Sequence, residues 1–258
     1  MPAATIDIDR ILTAAVLTGS RISGLMVFAP FLGSVSIPMQ VKAGLVCLLT
    51  FLLYPLCGVP RMHLSGLAWG TVMLSELLIG LLLGLVLQFI FEAVQLAGHM
   101  LGVQMGFSLV NVLDPQTQVD TPVLAIFNQL VALLIFLQLD VHHWIVRAIV
   151  RSFAYLPPPV TDISFALSES LLRAAAGIWI TGLQIAAPAL LATMMTDIVL
   201  GFVGKASPQL PVLFVGLSLK TLLGLVVVIA GLALWPQKLE HHFLHAIEQG
   251  EQLLHLAR

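Results

Sequence analysis

Charge is scarce in this sequence. Asp, Glu, Lys and Arg together make up 9% of 258 residues, where an average globular domain carries about 25%. With so few charges and a net charge of −2 there is no basic footprint for nucleic acid. Cysteine is nearly absent: Cys47 and Cys57 lie in or beside an apolar segment. Their spacing fits no metal motif and supports no disulfide framework, so both read as small apolar residues. There is no alternating β pattern, no low-complexity linker and no clear internal repeat. The sequence holds no H-E-x-x-H, no G-x-S-x-G and no phosphate-binding loop, so hydrolytic and nucleotide chemistry have no residues to stand on. No cofactor is expected. The N-terminus MPAATIDIDR places Asp7 and Asp9 before its only basic residue, unlike the positive start of a cleavable signal peptide.

What is abundant is apolar side chain. Hydrophobic residues make up 59% and the mean hydropathy is +1.03. No soluble fold hides that much apolar surface, which places the chain in lipid, in a hydrophobic assembly, or in both. The expected class is all-α: a membrane protein of about six hydrophobic helical segments with kinked or re-entrant hairpins. Apolar runs cover 11–32, 43–56, 67–104, 122–139, 165–200 and 212–235. The second is short for a span, which needs about 20 residues. The third is long enough to be kinked or to be two helices. Pro188 is expected to interrupt the run over 165–200. Residues 140–156 mix Trp144, Ile145, Ile149 and Phe153 with His142, Arg147 and Arg151, as an interfacial helix does, and Pro157, Pro158 and Pro159 stop it. Residues 1–237 form the hydrophobic helical domain, and 238–258 an amphipathic, water-facing tail helix. Basic residues are scattered, so the orientation signal is weak; the tail is assigned to the cytoplasm.

The chain is organised around residues 76–122. A long apolar helix breaks at Gly106 into a polar loop holding Asn111, Asp114, Pro115, Gln116, Gln118 and Asp120. Gly80 with Gly84, and Gly98 with Gly102, form two small-xxx-small pairs that let another backbone approach closely. Asp114-Pro115 makes a turn, since Asp bonds its own backbone and Pro fixes φ. A polar loop between apolar helices either hangs in water or lines a cavity.

Arg21, Glu76, Glu92, Asp197 and Lys220 interrupt apolar runs. A charge at the bilayer centre costs roughly 2.5–3.5 kcal/mol on insertion scales, so it faces protein or water and has a partner. These residues form either an ion path or salt bridges that fix helix register, and the near balance of acids and bases favours pairing. His241 and His245 share a face of the tail helix and could hold a metal; no third ligand follows at a clear spacing, and a solvated helix is the expectation. Met100, Met105, Met194 and Met195 suit either a deformable gasket or ordinary core filling.

Several stretches together are similar to the FliR family of flagellar type III export-gate proteins and, more distantly, to their injectisome counterparts. They are Arg21 with APFLGSVSIPMQVKAGL (29–45), ELLIGLLLGLVLQFIFEAVQLAG (76–98), GVQMGFSLVNVLDP (102–115), SFAYLP (152–157) and SPQLPVLFVGLSLK (207–220). Two positions depart: His99 follows Gly98 where the family often has Glu, and Pro211 stands where it often has Asn. The resemblance implies a subunit of a helical, cone-shaped hetero-oligomer in the bacterial inner membrane at the flagellar basal body. It implies FliP-like and FliQ-like partner subunits, an associated FlhB-like protein, membrane lipid, and unfolded export substrates as cargo. It further implies that residues 106–121 plug the pore, starting at Gly106, with Phe107, Val110 and Val112 as apolar contacts, and that Arg21, Glu76 and Lys220 are buried pairing residues. A secondary transporter and an intramembrane enzyme are the competing classes; the first wants an inverted repeat with paired broken helices, the second a catalytic pair.

Overall fold

The computed structural model describes residues 8–30, 33, 37–58, 66–107, 123–159, 165–207, 209 and 211–256. Among them every regular element is an α-helix: α1 (Ile8–Phe28), α2 (Met39–Leu53), α3 (Gly66–Gln104), α4 (Val123–Gln138), α5 (Val141–Tyr155), α6 (Phe165–Ala206), α7 (Val212–Leu232) and α8 (Trp235–Leu256). The protein is a hydrophobic multi-helix membrane protein. Four helices, α1, α3, α6 and α7, are long and apolar enough to cross a bilayer, and the broken pair α4–α5 makes a fifth crossing if taken as one. All six apolar runs are helical, and α2, with 15 residues, is too short to span, as its length in the sequence implied. At 1.5 Å per residue it reaches only about 22 Å, short of the roughly 30 Å hydrocarbon core.

Two sequence expectations change. The 67–104 run is one helix of 39 residues, neither broken nor split. Pro188 does not interrupt α6, which runs unbroken for 42 residues. Proline removes one hydrogen bond and crowds the carbonyl four residues back. Here Pro188 lies on an exposed side, while Ala186 and Ala189 beside it are fully buried, so packing holds the helix on both flanks. The tail helix starts at Trp235, and Leu239, Phe243, Ala246 and Leu253 along it are buried.

The chain divides into two compact units. The first comprises 1–89, 140–175 and 243–258, the second 90–139 and 176–242. In the first unit α1 crosses α3 at backbone contact. A methyl group on Gly80 would collide with the carbonyl of Arg21, one on Gly24 with the carbonyl of Leu77, and one on Gly84 would come to 2.7 Å from the carbonyl of Leu25. The Gly80–Gly84 pair thus serves this chain's own helix. In the second unit Gly98 meets Ala125 of α4, where a Cβ would approach Cα to 2.5 Å, and a Cβ on Gly182 of α6 would come to 2.9 Å from the carbonyl of Ala93. Around these crossings a core of Ala97, Leu101, Met105, Leu124, Ala186, Ala189 and Val228 is buried, and Phe91 meets Phe136 edge to face at 5.7 Å. Gly44 of α2, by contrast, has nothing within 4 Å of its missing side chain.

The crossing predicts its own test. Gly80→Leu must push α1 from α3 and is expected to lower stability by about 1–3 kcal/mol, the usual cost of overpacking. Gly44→Ala is expected to be neutral or to stabilise by up to about 1 kcal/mol through helix propensity. Unfolding midpoints of the detergent-solubilised protein check both.

Candidate functional site

Two polar sets stand out, and each gathers residues from separate stretches of sequence. The first lies in the first unit around Arg21, which is fully buried, as is Glu76. Arg21 Nε donates to Glu76 Oε2 at 2.6 Å. Nη1 donates to Ser152 Oγ at 2.8 Å and Nη2 to the carbonyl of Leu156 at 3.1 Å. The guanidinium plane lies over Phe153, 3.8 Å from the ring centroid. All three guanidinium nitrogens thus have acceptors, and the ring face takes part of the charge. Ser152 is positioned by donating to Ile149 O at 2.6 Å, one turn back in α5. This set joins α1, α3 and α5 and contains no water-accessible group, so its chemistry is that of a structural anchor. Cys57 lies close by and is a buried free thiol; burial pushes the thiol up from its ordinary value, which leaves it unreactive.

The second set lies in the second unit, at the C-terminal end of α3, the stem that leads into residues 108–122. The end of α3 is shaped by Gly106, which takes φ 87°. Phe107 N–H bonds the carbonyl of Gly102 at 2.9 Å and Gly106 N–H that of Val103 at 3.1 Å, the paired bonds of a Schellman stop with glycine in the left-handed position. Phe107 packs against the Ala97–Leu101–Met105 core, the apolar contact that accompanies such a stop. Thr221 Oγ1 of α7 donates to the carbonyl of Met105 at 2.9 Å, and the side chain of Met105 fills the space that a Cβ on Gly224 would occupy. One residue earlier, Gln104 Nε2 donates to Asp197 Oδ2 at 3.0 Å, and Asp197 Oδ1 pairs with Lys220 Nζ at 2.9 Å. α6 and α7 therefore hold the last turn of α3 through an ion pair, an amide and a hydroxyl. Lys220 is 19% exposed and Asp197 47%, so the pair orients the stem more than it stabilises the fold.

The remaining site residues fall as follows. Glu92 is on an exposed face of α3, whereas Gly98 and Gly102 are buried in it. Val110, Asn111, Val112, Asp114 and Pro115 lie outside the described residues. Of the methionines, Met105 is core while Met194 and Met195 are exposed on α6. Ser152, Gln104 and Thr221 were not singled out by sequence reasoning; a lone polar residue in or at the end of an apolar run was the available signal.

Residues 12–246 match the family described as bacterial export proteins, family 1. The flagellar biosynthetic protein FliR of Escherichia coli (strain K12) is 31% identical over 225 residues, covering 86% of this chain and 85% of that protein. The chain belongs to the FliR family. The FliR of Bacillus subtilis (strain 168) is 30% identical over 248 residues, 94% of this chain and 95% of its own, and that of Aquifex aeolicus (strain VF5) 28% over 237 residues, 91% of each. Parts of the stretches that resemble the FliR family meet in the two sets: Arg21, Glu76 of ELLIG and SFAYLP in the first, GVQMGF and Lys220 of GLSLK in the second.

Removing Arg21 separates anchoring from other roles. Arg21→Met strands a buried carboxylate and is expected to cost about 3–5 kcal/mol, while Arg21→Met with Glu76→Leu recovers most of that loss. A double-mutant cycle on unfolding midpoints reads the coupling.

Proposed function

We propose that this FliR-family chain is a non-enzymatic subunit of the flagellar protein export gate, which forms and plugs the pore taken by unfolded substrates. The loop over 106–121 is the plug, and residues 1–237 are the gate domain that carries it, with 238–258 as its tail. Its partners are FliP-like and FliQ-like subunits and an FlhB-like protein, in the inner membrane at the basal body. The observation that carries this reading is the stem at Gln104–Phe107. An ion pair and a threonine hydroxyl from two other helices converge on the last turn of α3, beyond the common glycine stop that would suffice to end it. A plug needs that rigidity, because its closed state must persist against substrate and ion gradients. The exposed apolar faces of α6 and α7 support the hetero-oligomer: only 22% and 17% of their spanning windows are buried within the chain.

Deleting residues 107–113 is expected to leave the partner subunits copurifying while membranes carrying the complex leak ions. An intact complex that lacks the loop and still holds its ion barrier contradicts the plug. Lys220→Leu removes the cation that holds Asp197 beside Gln104 at the stem. Ion leak is expected to rise about tenfold with assembly kept, the shift that a coupling of about 1–2 kcal/mol sustains; swapping the pair, Lys220→Asp with Asp197→Lys, is expected to restore closure. Conductance and copurification measured on the same preparations distinguish loosening of the stem from loss of assembly.

A further inference from the structure

A separate group of side chains sits at the start of α5. Asp140 takes a left-handed backbone, φ 54°, unusual for a residue with a Cβ. It precedes a first turn closed by His143 N–H on its carbonyl at 2.9 Å. This backbone turns the carboxylate back over two consecutive histidines. Asp140 Oδ1 lies 3.8 Å from His142 Nε2 and 3.4 Å from His143 Nδ1. The two imidazoles lie side by side, centroids 4.1 Å apart, and the three donor atoms are all within 4.8 Å of one another.

We propose that Asp140, His142 and His143 bind a first-row divalent cation of the zinc class. Tetrahedral zinc, with bonds of about 2.0–2.2 Å, sets its ligand atoms about 3.3–3.5 Å apart. One edge of this triangle already has that length, a second exceeds it by a few tenths of an ångström and the third lies within 4.8 Å, so ligation asks the exposed imidazoles to rotate until their nitrogens converge. Two nitrogens and one oxygen favour zinc, cobalt, nickel or copper over magnesium or calcium, which prefer all-oxygen shells. Three protein ligands leave a fourth position for water. The ion ties residue 140 to the first turn of α5 and holds the left-handed backbone that a carboxylate residue otherwise adopts at a cost. The site is distinct from the tail histidines: His245 lies 3.8 Å from Glu248, one turn on. It rests on its own geometry and stands whether or not residues 106–121 plug a pore.

The test uses the full-length chain, purified in mild detergent and stripped with a chelator, then titrated with Co(II) and with Zn(II) in competition. The expected result is one equivalent per chain with the visible absorption of low-coordinate cobalt, displaced by zinc. His142→Gln with His143→Gln, at positions exposed enough to leave folding intact, is expected to weaken binding by at least about tenfold, and Asp140→Asn to weaken it in the same direction. His241→Gln with His245→Gln is the control and is expected to bind as the parent does. Absence of stoichiometric binding by the parent overturns the proposal, as does unchanged binding by the His142/His143 variant or loss of binding in the tail control.

Discussion

A guanidinium cannot stay charged in an apolar helix bundle unless protein replaces the water it gave up. Much of the first unit is arranged to meet that demand. Arg21 is reached by a carboxylate from α3, a hydroxyl and an aromatic face from α5, and the carbonyl that follows α5. Glycines let the α1 and α3 backbones close up where the pair forms: Gly80 touches the backbone of Arg21 itself. Close approach and charge pairing are therefore one device. The short separation gives Glu76 its reach, and the ion pair fixes the register in which the glycines face the neighbouring backbone. Such pairs add little net stability compared with an apolar substitute, but they penalise every arrangement in which one partner is left alone.

The second unit solves a different problem. A long apolar helix must stop at a defined residue. Gly106 provides the stop because a left-handed residue lets two backbone N–H groups turn back on the last turn of α3. Asp197, Lys220 and Thr221 then hold that turn from two other helices. Met105 adds a flexible apolar side chain against Gly224, a close fit that tolerates small adjustments. The polar groups here are few, yet they converge on one turn of one helix.

Much of this could be read in the residues, for identifiable reasons. An all-helical membrane class follows from apolar runs too long and too uncharged for anything else. The break at Gly106 is legible because a glycine at the end of an apolar run, with Asp114-Pro115 a few residues on, is what a helix stop looks like. Segment ends were less legible: nothing local says that α3 continues unbroken for 39 residues or that α6 passes through Pro188, since tertiary packing decides both. The charged residues could be picked out as needing partners, but their assignments could not, because Arg21 and Ser152 are 131 positions apart. Glu92 reads like the other intramembrane charges, yet it lies on the exposed side of its helix, a distinction that helical spacing alone does not make in a run apolar all round. Likewise the Asp140–His142–His143 group depends on one unusual backbone angle that sequence does not announce.

What remains uncovered is as informative as what is buried. Phe202, Phe214, Leu222 and Ile229 are among the large apolar side chains exposed on α6 and α7. In a gate subunit those faces meet sibling subunits, and a lone chain has only lipid to cover them. Native mass measurement of the particle extracted in mild detergent, with its components identified, tests this most directly. The account predicts a hetero-oligomer in which this chain is held by FliP-like and FliQ-like subunits. A stable, solitary monomer, recovered from cells that express those subunits, would contradict it.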